Sequence, residues 1–261
     1  MRYLLLLFIA IFYFNTSFTQ TKTHRIHPPL ETSARPEMSG MSLERLARID
    51  AMLEKAIADG EIPGAVALIA RKGEIVYHKA FGMVDNPAKR AAKSDDIFRI
   101  ASMSKAITST AVMMLWEEGL FRLDDPISRY IPEFKNPQVL KSYNYESNSY
   151  TTEPAKSEIT IRQLLNHTSG IGYGVIDGDE RFKLIYRKAG ITDLYTTKNI
   201  SIEESVKKLA RLPLHHHPGE AFVYSEGLDV LGYFIEVISG MSFAEFLKER
   251  LFKPLGMNDT Y

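Results

Sequence analysis

One short β-hairpin in an otherwise helix-rich chain limits what this sequence can fold into more than any other feature. Residues 65–70 and 74–80 are two β-prone runs joined through Lys72-Gly73, the pattern of a hairpin. Two strands alone leave unpaired edges and an apolar face that they cannot bury stably. The sheet therefore needs partners from elsewhere in the fold. Before it, Leu43, Leu46, Ile49, Leu53, Ala56 and Ile57 recur at helical spacing, with Ser42 placed as N-cap and Gly60 just past the end. After it, residues 106–118, 161–166, 202–209, 227–238 and 243–251 carry helical patterns, and 136–158 is a polar, Tyr/Ser/Asn-rich surface excursion. No repeat or second composition regime divides the chain. The expectation is one α+β domain over 42–261, with a helical part and an antiparallel sheet.

Composition removes several function classes. Thirty-two Lys and Arg cancel 32 Asp and Glu, so no basic surplus draws the chain to nucleic acid or to an anionic membrane surface. The absence of cysteine excludes a disulfide framework, a thiolate nucleophile, a Cys-ligated zinc and a lipidated cysteine anchor. Fourteen Phe and 13 Tyr spread through the chain argue against disorder. At the N-terminus, Met1-Arg2-Tyr3 precedes the apolar run 4–14, too short for a spanning helix but suited to a secretory segment. Residues 1–20 are accordingly expected to be a signal peptide, cut between about Ser17 and Gln20. Residues 21–41 are expected to form a linker or extended arm, and the protein to be secreted or periplasmic in a bacterial envelope. No stable membrane span follows unless the leader is retained.

The chemistry gathers at Phe98-Arg-Ile-Ala-Ser102-Met-Ser-Lys105. Residues three apart share a helical face, so Lys105 is placed to reach the Ser102 hydroxyl. In a first helical turn, Ser102 also feels the positive end of the macrodipole. A serine becomes nucleophilic when a neighbouring base takes its proton, and a lysine does so when burial and positive surroundings lower its pKa. Read alone, the same pattern suits an N-cap serine and a solvated lysine better than a catalytic pair. Ser104 adjoins Lys105 and points elsewhere.

Four segments, FRIASMSK, LFRLDDPISRYIPEF, ITIRQLLNHTSGI and PGEAFVYSEG continuing to the last residue, occur in that order. Together they resemble the serine β-lactamase and penicillin-binding-protein superfamily, in its class C β-lactamase, DD-peptidase and esterase branch. The resemblance implies a β-lactamase/transpeptidase-like fold, with Ser102 as nucleophile, Lys105 as its partner and Tyr224 as the tyrosine of a Tyr-x-Asn element. Glu226 stands where that element carries Asn and is assigned to substrate binding. An ionised carboxylate there can only accept hydrogen bonds, and it would favour the charged form of Lys105. The superfamily's third motif, Lys-Thr-Gly or His-x-Gly, has no counterpart after Tyr224. The resemblance therefore implies further C-terminal strands, a helix and a second oxyanion donor that this chain does not carry.

Other motifs receive smaller roles. His215-His216-His217 is expected to be a solvated loop, because consecutive histidines do not converge on one metal from regular structure. For His167, in His-Thr-Ser-Gly, the resemblance implies a structural turn ending a helix at Gly170. Asp124 and Asp125 form a turn before Pro126. The leading expectation is an exported serine hydrolase acting on ester or amide bonds (β-lactam, D-amino peptide or carboxylester) through a Ser102 acyl-enzyme. It needs no cofactor or metal, takes a small-molecule or peptide substrate, and has the open sheet as a route to self-association. The alternatives are a catalytically impaired relative that binds peptidoglycan-like peptides and a metal-binding module built on the histidine tract.

Overall fold

The structure is a computed structural model that describes residues 30–33, 35–85 and 89–261. The expected signal segment 1–20, and residues 21–29 and 34 of the expected 21–41 segment, lie outside the described residues. Strands β1 (Glu31–Thr32), β2 (Gly64–Arg71), β3 (Glu74–Asp85) and β4 (Arg90–Ala91) form one sheet. β2 and β3 are antiparallel from Gly64 opposite Gly82 to Arg71 opposite Glu74. Lys72 and Gly73 both take positive φ, 52° and 79°, the geometry whose twist matches a two-residue hairpin. β1, within the expected 21–41 segment, pairs with β3 in parallel. Helix α1 (Leu43–Ala58) begins where Ser42 Oγ accepts the Arg45 N–H. It is anchored to β3 through Asp50, which accepts from the Tyr77 hydroxyl at 2.5 Å and from Lys79 at 2.7 Å.

The main core lies among the helices. α2 (Ser104–Glu117) packs on α6 (Gly227–Ser239). α3 (Ile161–Leu165), α5 (Ile202–Leu209) and α7 (Phe243–Phe246) pack around α6 as well, and α7 continues as a π-helical turn to Phe252. Val230, Leu231, Phe234 and Ile235 of α6 are fully buried, as are Ala111 and Val112 of α2. A helix covered on several faces reads as apolar all round, which explains why α6 lacks a clean polar stripe. Phe121 and Tyr130 meet Phe234 edge-on, each at 5.0 Å between centroids. No single helix among the described residues is long and apolar enough to cross a membrane.

Two elements differ from expectation. The polar 136–158 stretch is a second, two-stranded antiparallel sheet, β5 (Gln138–Asn144) with β6 (Ser149–Pro154). It is tied to the core by a bridge from Val139 to Leu214. Helix α4 (Glu180–Ala189), capped by Asp179, buries Phe182, Ile185 and Tyr186 where no helix was anticipated.

Candidate active site

The chain enters α2 through a 3-10 turn, Ala101–Met103. Ala101 has φ 44°, a left-handed backbone that costs an alanine roughly 1–2 kcal/mol. This turn presents Ser102 to solvent just ahead of the α-helix rather than within its first turn. Ser104 starts α2 and Lys105 follows on its first turn.

The structure brings Ser102, Lys105 and Tyr224 together, but not in the expected order. The Tyr224 hydroxyl donates to Ser102 Oγ at 2.7 Å. Lys105 donates instead to the hydroxyl of Tyr173, at 2.9 Å. Its ammonium also faces both rings, 4.8 Å from the Tyr224 centroid and 5.4 Å from that of Tyr173. The two tyrosines stack at 5.5 Å with planes 20° apart. Burial alone would lower the Lys105 pKa, but the Tyr173 and Tyr224 hydroxyls more than offset it, so the amine lies above its ordinary value. Lys105 therefore does not meet the condition of a lowered pKa under which a lysine takes the serine proton. Burial alone would raise the Tyr224 phenol, yet its bonds to Ser102 and Lys105 bring it below the ordinary tyrosine value. The charge pattern is an ammonium beside an acidified phenol, which makes Tyr224 the stronger candidate to accept the serine proton. Tyr173 was not singled out from the sequence. Its only signal there is the Gly172-Tyr173-Gly174 flanking, a stretch free to bend tightly.

Tyr224 has no regular secondary structure of its own and is held by its neighbours. Val223 N–H donates to the His167 carbonyl at 2.9 Å, and Glu226 N–H to the Gly172 carbonyl at 3.1 Å. Between them, Ser225 N–H donates to His167 Nδ1 at 3.2 Å, and Ser225 is fully buried. α3 stops at Leu165, so the residue that reverses the chain is His167, with φ 60°, rather than Gly170.

Glu226 is 7% exposed and lines the cleft. Burial, with Asp229 and Asp193 nearby, pushes its carboxyl up to about 9. It is therefore protonated at neutral pH, which overturns the expected ionised carboxylate. A neutral carboxylic acid both donates and accepts, as the Asn amide of the related motif does. Its Oε1 is buried and has no partner.

The histidine tract is half-buried rather than solvated. His215 stacks on Phe182 at 3.3 Å, and its Nε2 lies 2.9 Å from Asp177 Oδ2. The same Asp177 oxygen accepts the Tyr173 N–H at 2.9 Å, so the pair fixes the backbone of the residue that receives Lys105. Burial would raise the Asp177 pKa, but His215 and the N–H groups of Tyr173 and Asp179 outweigh it and the carboxylate stays low. No group of three or more His, Asp or Glu among the described residues is placed to hold a metal. Asp124 makes a two-point pair with Arg162, and Asp125 accepts from Arg122 N–H and the Tyr130 hydroxyl; both are structural.

Ser102, Lys105, Tyr173, Tyr195, Glu226 and Asp229 line one cleft of about 1070 Å³. Phe98 and Leu194 line it as well, and with Tyr195 they stand exposed. A family model described as beta-lactamase matches residues 49–261. Esterase EstB of Burkholderia gladioli is 37% identical over 213 residues, covering 82% of this chain and 50% of that protein. Among solved structures, EstCE1, a hydrolase with promiscuous acyltransferase activity, aligns with a TM-score of 0.69 at 31% identity, covering 81% of this chain and 51% of that one. Unliganded, selenomethionyl simvastatin synthase (LovD) from Aspergillus terreus aligns with a TM-score of 0.64 at 26% identity, covering 86% and 52%. The chain thus spans about half the length of these relatives.

Proposed function

The chain belongs to the beta-lactamase family, and on that premise we propose that it is a serine hydrolase that cleaves carboxylic esters through a Ser102 acyl-enzyme. The observation that carries the proposal is the 2.7 Å contact between Tyr224 and Ser102, with Lys105 facing the same phenol. Tyr224, as phenolate beside the Lys105 ammonium, takes the Ser102 proton. Oγ forms its bond to the ester carbonyl carbon while the carbonyl π pair moves to oxygen. The tetrahedral intermediate collapses, the ester C–O bond breaks, and the Tyr224 proton passes to the departing alkoxide. Water then repeats the sequence on the acyl-serine and regenerates the enzyme. Tyr173 holds Lys105 in place, and the neutral Glu226 carboxyl offers a hydrogen bond to the bound substrate.

Similarity to an esterase supports esters over β-lactams or peptides. The exposed Phe98, Leu194 and Tyr195 of the cleft support an acyl or alcohol group with apolar surface. The apolar run 4–14 supports export, with residues 1–20 as the leader and 42–261 as the hydrolase domain. The test is intact-mass measurement after treatment of the protein with a fluorophosphonate. One adduct on Ser102, absent from Ser102→Ala, is expected. An unlabelled wild-type protein would instead support a peptide-binding role without catalysis.

A further inference from the structure

We propose that His167 is a positioning residue that works only when uncharged, accepting hydrogen bonds at Nδ1 to hold the Tyr224-Ser225 segment against Ser102 and releasing that segment when protonated. The inference rests on the function proposed above and adds a residue and a pH limit to it. The Ser225 N–H, 3.2 Å from Nδ1, can only donate. Nδ1 must therefore carry the lone pair, and Nε2 the hydrogen. Ser225 Oγ lies 3.0 Å from the same nitrogen and accepts the Gly227 N–H at 3.1 Å, which leaves its own hydrogen for Nδ1. One lone pair thus serves two groups of a residue with no solvent exposure. A proton on Nδ1 would set donor against donor there, with no water to take over.

The ring also supports the tyrosine directly. Its centroid is 4.9 Å from that of Tyr224 and 5.6 Å from that of Phe222. The left-handed backbone at His167 turns the ring toward this loop while its carbonyl holds Val223 N–H. The titratable and charged groups facing the imidazole are the Lys105 ammonium from α2 and the Tyr224 phenol from the loop. Burial first, and Lys105 second, keep the His167 pKa below its ordinary value, which favours the neutral form. As pH falls through that lowered pKa, the acceptor is lost and Tyr224 is freed from Ser102.

Two variants of the full-length protein separate positioning from mere packing. His167→Asn places an amide oxygen near the Nδ1 position, does not titrate, and suits the left-handed backbone. His167→Gln carries its oxygen one bond further out, near the Nε2 position. The Asn variant should acylate within about threefold of the wild-type rate above neutrality, and it should keep the acid-side limb set by Tyr224 while losing the steeper fall that His167 protonation adds at lower pH. The Gln variant should be slowed about tenfold or more in kcat, with KM little changed. Independently of activity, a long-range 1H–15N spectrum of the wild-type protein at neutral pH should show Nδ1 unprotonated and Nε2 protonated. An Nδ1–H tautomer or an imidazolium at that pH, a steeper acid-side fall that persists unchanged in the Asn variant, or a Gln variant as fast as wild type would each overturn the inference. Should the Gln variant not fold, the tautomer and the Asn profile decide. Should wild-type Ser102 prove unreactive, the proposed function falls, and the tautomer alone decides whether His167 is the acceptor.

Discussion

Asp177 and His215, 38 residues apart, meet through a 2.9 Å hydrogen bond directly behind Gly172. A Cβ on Gly172 would stand 2.3 Å from His215 Nε2 and 2.6 Å from Asp177 Oδ2, so only glycine leaves the pair room. Gly172→Ala should therefore displace His215 and loosen the Asp177 hold on Tyr173, with a loss of about 1–3 kcal/mol. Denaturant unfolding would measure this. Wild-type stability in the variant would mean that the imidazole yields without consequence.

Tyr224→Phe deletes the hydroxyl on Ser102 while keeping the stacked ring. The acylation rate should fall by about 10²–10⁴, the range typical of a lost proton-transfer group. Ser104→Ala, two residues from the nucleophile, should remain within about threefold of wild type. Stopped-flow acylation by a p-nitrophenyl ester distinguishes the two, and equal losses would remove Tyr224 from the proton path.

Glu226 makes the protein less stable as pH rises. Its carboxyl binds a proton up to about pH 9 when folded but only to about 4.5 when unfolded. Between those values the folded state holds more protons than the unfolded one, so stability falls with increasing pH, by an amount on the order of 3 kcal/mol at pH 7. Glu226→Gln carries no such penalty. The difference in Tm between variant and wild type should be small near pH 4.5 and widen toward pH 9. A constant difference would place the carboxylate in contact with solvent.

β2 is an edge strand of its sheet among the described residues, and Leu68 on it is 52% exposed. Such an edge invites pairing with another copy, and a lysine there is a common remedy. Leu68→Lys should lower any self-association seen by sedimentation velocity and change stability by no more than about 0.5 kcal/mol. If wild type and variant sediment identically as oligomers, the contact lies elsewhere.

Much of the fold was legible because its signals are local. Ser42, Thr160 and Ser201 each cap the helix that their sequence context announces, and Lys72-Gly73 makes the hairpin turn. β5 and β6 escaped because alternating Tyr, Ser and Thr on an exposed hairpin look like any polar loop. α4 escaped behind its charged residues, although Phe182, Ile185 and Tyr186 carry helical spacing. In the site, Ser102, Lys105 and Tyr224 were identifiable by motif. The direction of the Lys105 shift and the protonation of Glu226 were not, because both depend on burial and on neighbours distant in sequence: Tyr173 for one, Asp193 for the other. The Asp177 bond to His215 left no trace, since neither residue has a local pattern that names the other.

The separation between Ser102 and Tyr224, 122 positions along the chain, bears on the order of folding. Closing so long a loop is entropically unfavourable, so such contacts form after local helices and hairpins. The serine emerges during synthesis long before its tyrosine does, and it stays an ordinary hydroxyl until α2 and α6 dock. The Tyr224 contact to Ser102 is therefore absent from the nascent chain until both partners have been made and brought together.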